Sequence, residues 1–68
     1  MRNQELSNTE KEVLRMCWDN LSVNQIADAT GCSPSWVNKT YKHIHLKLNT
    51  YTRIEMIRRA LEKGIISL

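Results

Sequence analysis

The sequence predicts an all-α fold: a four-helix domain with a central helix-turn-helix. Three observations predict it. Four helix-start signatures lie along the 68 residues. Apolar residues recur three and four apart after each of them, and no segment alternates apolar and polar residues as a half-buried strand would. Connections are short and no repeat or low-complexity stretch intervenes, so residues 1–68 are expected to form a single domain. A chain this short buries only about 60% of its unfolded surface. A closed pocket of about 300 Å³ or more would remove side chains that the core needs. Function is therefore expected on the exterior, and an enzyme is not expected.

The first helix is expected over about 8–19. Ser7 followed by Glu10 forms a capping box, in which the hydroxyl accepts from an orphan backbone N–H and the carboxylate reaches back to the cap's own N–H. Val13, Leu14, Cys17 and Trp18 then share an apolar arc of about 140°. Glu10 falls inside that arc, where an unpaired carboxylate is costly. Either the capping box satisfies it or a cation such as Arg53 pairs with it.

The second helix, about 23–30, starts at the capping box of Ser22 and Gln25, and the third, about 34–48, at Ser33 followed by Pro34. Proline is favoured at a first helical position because its missing N–H has no partner there anyway. The turn between them carries the spacing of a helix-turn-helix. Ala27 lets the helices approach, Gly31 supplies a positive φ, and Val37 packs the third helix back on the second. Ile26 and Cys32 flank these as expected core residues.

The third helix divides into two faces. Val37, Tyr41, Ile44 and Leu48 fall within about 60° and face the core, while Ser35, Asn38, Lys39, Lys42 and His45 lie opposite. Trp36 sits at the edge of the core arc, where its ring either lies across the second helix or offers its indole N–H to a phosphate. Leu46 points outward. The fourth helix, about 53–63, opens with the box of Thr52 and Glu55 and stops at Gly64. Its apolar residues Ile54, Met56, Ile57, Ala60 and Leu61 span about 160°, wider than the ~100° a core stripe needs. Ile54 and Leu61, flanked by Arg58, are thus left for a dimer interface.

Charge is distributed unevenly along the chain. The net charge is +3, but residues 1–32 carry −2 and residues 33–68 carry +5, and no acid lies between Ser33 and Arg53. That is the electrostatic footprint of a polyanion-binding element. Asn38, Lys39 and Lys42 lie on the first turns of the third helix, the part that reaches base edges in the major groove, so they are the expected base contacts. Ser35, Trp36, Lys47 and Arg53 are the expected contacts to the DNA backbone.

Cys17 and Cys32 are in no CxxC arrangement. His43 and His45 point about 200° apart on one helix, so they cannot chelate one ion together. Neither a metal nor a cofactor is expected. Both cysteines read as buried thiols in a reducing cytoplasm. No segment reads as a signal peptide or membrane span.

From Leu6 to Ile66 the chain resembles the LuxR-type, or GerE-type, DNA-binding domain of bacterial transcription regulators. The likeness is carried by Leu6, Ser7, Glu10, Glu12, Val13 and Leu14 in the first helix. Ser22, Ile26, Ala27, Ser33 and Val37 carry it in the helix-turn-helix, and Ile44, Lys47, Leu48, Arg53, Glu55, Ala60, Gly64 and Ile65 in the remainder. The resemblance implies that the third helix enters the major groove, that base contacts fall at Asn38, Lys39 and Lys42, and that the fourth helix makes a two-fold homodimer on DNA. RNA polymerase is a further candidate partner. The chain departs from the family's usual threonine, lysine and histidine with Trp36, Asn38 and Thr40. It has Thr30 for a leucine, Asn49 for a glycine and Trp18 for a small residue.

Two other functions fit parts of this pattern. Region four of sigma factors also carries a helix-turn-helix, but it lacks the fourth helix that Arg53, Glu55, Ala60 and Gly64 continue into. A protein-interaction module that antagonises a related regulator by pairing through the fourth helix would account for Asn38 and Thr40.

Overall fold

The computed structural model describes residues 5–67. Its helices are α1 (Asn8–Trp18), α2 (Val23–Thr30), α3 (Pro34–Leu48) and α4 (Arg53–Glu62), with no strand among the described residues. None of these helices is long and apolar enough to cross a membrane. All four start where their capping residues predict. Ser7 Oγ accepts from Glu10 N–H at 3.1 Å while Glu10 Oε1 accepts from Ser7 N–H at 2.8 Å. Ser22 with Gln25 and Thr52 with Glu55 repeat the reciprocal pair. Ser33 Oγ accepts from Trp36 N–H at 3.2 Å, with Pro34 opening α3.

The carboxyl ends share one solution. Asn20, Gly31, Asn49 and Gly64 all adopt left-handed backbone, with φ of 70°, 71°, 58° and 74°. In each case the next N–H turns back to a carbonyl five residues earlier: Leu21 to Met16, Cys32 to Ala27, Thr50 to His45 and Ile65 to Ala60, at 2.9–3.0 Å. This is the hydrogen bond that closes a helix whose last carbonyls have no partner. It also explains why α1 and α4 end one residue earlier than expected. Asp19 and Lys63 are cap residues, already committed to the turn.

Helix α3 is the axis of the packing and touches all three other helices, while α1 also touches α2. The core comprises Val13, Leu14 and Cys17 of α1, Ile26 and Ala27 of α2, Val37, Ile44 and Leu48 of α3, and Met56 and Ala60 of α4. Leu6 and Ile66 close its ends. Two expectations change, and a residue that the helical pattern left unplaced finds its position. Trp18 is exposed, because it is the last residue of α1 and lies at the far edge of its arc, where it overhangs the rim. Cys32 is exposed too, since it follows the left-handed turn at Gly31 and its Sγ stays beside Thr30 O, 3.6 Å away. Thr40, by contrast, is buried within the core arc. Its hydroxyl donates to Trp36 O one turn back at 2.8 Å, which satisfies the polar group inside its own helix.

Candidate nucleic-acid interface

The outward face of α3 presents Ser35, Asn38, Lys39 and Lys42, all exposed, on a helix whose opposite face is fully buried at Val37, Ile44 and Leu48. The fold thus turns the first two turns of α3 toward solvent as one polar and basic surface free of carboxylates. Tyr41 is half-buried and packs against the core. Burial first, then its hydrogen bond with the Cys17 thiol, pushes the Tyr41 phenol above its ordinary value; nearby Arg53 opposes this only in part. Tyr41 is therefore a neutral core residue. His45 leaves the reading face: it is half-buried, and its Nδ1 lies 2.8 Å from the hydroxyl of buried Thr50.

Glu10 and Lys47 meet across the core. Lys47 Nζ donates to Glu10 Oε1 at 2.8 Å, and the same oxygen accepts from Ser7 N–H. Burial alone would raise the Glu10 carboxyl. The hydrogen bond from Lys47, then that from Ser7 N–H, and the lysine charge outweigh it and hold the group below its usual range. The expected alternative partner, Arg53, is ruled out by position. Its guanidinium donates to Cys17 O at 3.3 Å, seven residues further along α1 and so about 10 Å from the Glu10 turn.

Two of the three arginines of α4 act as caps. Arg53 meets the last turn of α1 at Cys17 O, and Arg59 donates to Leu48 O at 3.0 Å, at the carboxyl end of α3. Both place a cation where unsatisfied carbonyls concentrate negative partial charge. Of the four residues expected on the DNA backbone, Ser35 is exposed, Trp36 is half-buried against the core, Lys47 is held by Glu10, and Arg53 is exposed but partly engaged.

On α4, Ile54 is 73% exposed and Arg58 is exposed, whereas Leu61 and Ile57 are half-buried against the core. Trp18, Ile54 and Ile57 line one shallow depression together with Arg53. The sequence reading missed Trp18 here, because its wheel position had been assigned to the core.

Residues 4–60 match the family model GerE, described as bacterial regulatory proteins, luxR family. The matched span includes the whole helix-turn-helix and all of the exposed α3 face. The chain belongs to the luxR family of bacterial regulatory proteins. As a luxR-family helix-turn-helix domain it is a DNA-binding unit of transcription regulation. The match ends at Ala60, so Gly64 and Ile65 lie beyond it. No curated protein matches the chain.

Proposed function

We propose that this luxR-family domain binds duplex DNA sequence-specifically by laying α3 in the major groove, and that two copies pair through α4 on a two-fold site. One observation carries this reading: Ser35, Asn38, Lys39 and Lys42 form an exposed carboxylate-free face on a helix anchored by its opposite face. The groove of B-DNA admits one such helix. Asn38 is suited to the N6 and N7 edge of adenine and Lys42 to guanine O6 and N7, with Lys39 beside them. The domain supplies recognition and no catalysis.

Exposure of Ile54 beside Trp18, and of Arg58 one turn further along α4, supports pairing through the outer side of α4. Leu61 contributes only its uncovered edge. The patch is small, so the free domain is monomeric or weakly dimeric and pairs when half-sites about one helical turn apart hold two copies together.

The antagonist alternative loses one of its two supports. Thr40 is buried with its hydroxyl satisfied inside α3, so its departure from the family's histidine adjusts the core and not the reading face.

The test is the salt dependence of binding to a 20-base-pair duplex, read by fluorescence anisotropy. With Lys47 engaged by Glu10 and Lys42 directed at a base edge, Lys39 and Arg53 remain for phosphates, so log K should fall with log salt at about −1.8 per monomer, from ~0.9 per contact. A slope of zero supports the protein-interaction module instead.

A further inference from the structure

The described residues leave four large hydrophobic side chains exposed: Trp18, Leu46, Tyr51 and Ile54. Trp18 and Ile54 belong to the α4 surface already described. Leu46, 76% exposed, and Tyr51, 87% exposed, lie elsewhere and border a common groove. With Lys42, His45, Asn49 and Thr50 they line one groove of about 360 Å³ where α3 passes into α4. Its lining holds a lysine, a histidine, an amide and two hydroxyls, and no carboxylate.

The groove continues the reading face. Leu46 follows Lys42 by four residues, so it stands one turn further along the same side of α3, rotated by about 40°. Lys42 belongs to both surfaces. Tyr51 stands on a rigid base although its ring is in solvent. Its N–H donates to Glu55 Oε1 at 2.9 Å, its neighbour Thr50 is buried and bonded to His45 through both N–H and hydroxyl, and Thr52 caps α4. The backbone at Tyr51 therefore needs no ordering on binding, and only its side-chain torsions are fixed there.

We propose that Leu46 and Tyr51 form an uncharged contact for the DNA strand that flanks the α3 groove. The Tyr51 hydroxyl donates to a phosphate oxygen, and the Tyr51 ring and Leu46 methyls cover the adjacent deoxyribose. This rests on the duplex-DNA reading above. A sugar-phosphate strand suits the groove because it combines an apolar sugar with an anion, matching an aliphatic and aromatic pair next to Lys42. The amino end of α4 is not the anion site. Glu55 already takes the N–H groups of Tyr51 and Thr52, and those two bonds, in that order, hold its carboxyl below the ordinary range.

The test uses a mixed-sequence 20-base-pair duplex with wild type, Tyr51→Ala, Tyr51→Phe, Leu46→Ala and Lys39→Ala, each checked for an unchanged thermal melt. Tyr51→Ala should weaken binding about tenfold, and Tyr51→Phe about threefold, the scale of one net hydrogen bond. Leu46→Ala should fall between them. The salt slope should stay at the wild-type value in all three, since no charge is removed, while Lys39→Ala lowers it by about 0.9. Wild-type affinity in Tyr51→Ala and Leu46→Ala, with Lys39→Ala impaired, overturns the proposal while leaving the duplex-DNA reading intact, and points to a protein segment as the groove's occupant. A wild-type domain that does not bind the duplex overturns both.

Discussion

Lys47 Nζ and Glu10 Oε1 meet at 2.8 Å across the core, with 33% and 10% of their side chains exposed. The pair ties the carboxyl end of α3 to the amino end of α1, and it removes from the DNA surface a lysine that charge counting alone would place there. Replacing Lys47 by Met leaves a mostly buried carboxylate without its cation. A stability loss of about 1–3 kcal/mol is expected in urea denaturation at pH 7, and a smaller change in salt slope than Lys39→Ala produces.

The same pair sets an acid dependence. The folded Glu10 carboxyl lies below the ordinary carboxylate range, so its contribution is fully present above the unfolded value and is lost as pH falls through the folded one. Glu10→Gln keeps an oxygen for Ser7 N–H but carries no charge. Comparing urea midpoints of wild type and Glu10→Gln at pH 7, 5 and 3 should show the difference narrowing toward pH 3. A constant difference would mean that the charge contributes nothing.

The left-handed helix ends predict opposite effects at glycine and asparagine positions. Nothing lies within 4 Å of a Cβ added at Gly31, so Gly31→Ala should cost about 1–2 kcal/mol through its φ alone. Asn49→Gly relieves the same strain and should raise stability by up to ~1 kcal/mol, less the added freedom of the unfolded chain. Thermal denaturation of the two variants measures both.

The pairing surface predicts a contrast between Ile54 and Leu61. Ile54→Glu alters a side chain 73% exposed and should abolish cooperative binding to a palindromic duplex while leaving the melt unchanged. Leu61→Glu should also lower stability, by about 1 kcal/mol, because Leu61 packs against the core. Gel-shift titrations on one and two half-sites separate the effects, and unchanged cooperativity in Ile54→Glu would exclude this face of α4.

How much was legible in the sequence follows the range of each interaction. Helix starts were readable because capping is local: Ser7 with Glu10 needs only the intervening turn. Helix ends were readable to within one residue, and α2 and α3 stop at Thr30 and Leu48 as expected; what the sequence did not announce is the left-handed backbone at Asn20 and Asn49, since asparagine tolerates that region without requiring it. The periodicity of α3 assigned Val37, Ile44 and Leu48 correctly. It passed over Thr40, whose hydroxyl is satisfied by Trp36 O in a way that residue type does not announce. A wheel also takes no account of where a helix stops, which put Trp18 in the core, and motif spacing put Cys32 there although it follows the left-handed turn; both are exposed. Glu10 was recognisable as a carboxylate in need of a partner. Choosing Lys47 over Arg53 required knowing which turn of α1 each cation reaches. On the candidate site, the exposure of Asn38, Lys39 and Lys42 agrees with the helical pattern, whereas the groove between Leu46 and Tyr51 joins two elements and has no signature along the chain.

The central claim is that the exposed face of α3 reads bases, and the most direct measurement is a competition experiment on a site selected from random duplexes. Wild type, Asn38→Ala and Lys42→Ala are titrated against the selected duplex and a scrambled one at equal salt. Each alanine variant should lose about 1–3 kcal/mol on the selected site and much less on the scrambled one. Equal losses on both duplexes would contradict the claim, because Asn38 and Lys42 would then only position the domain on the phosphate backbone.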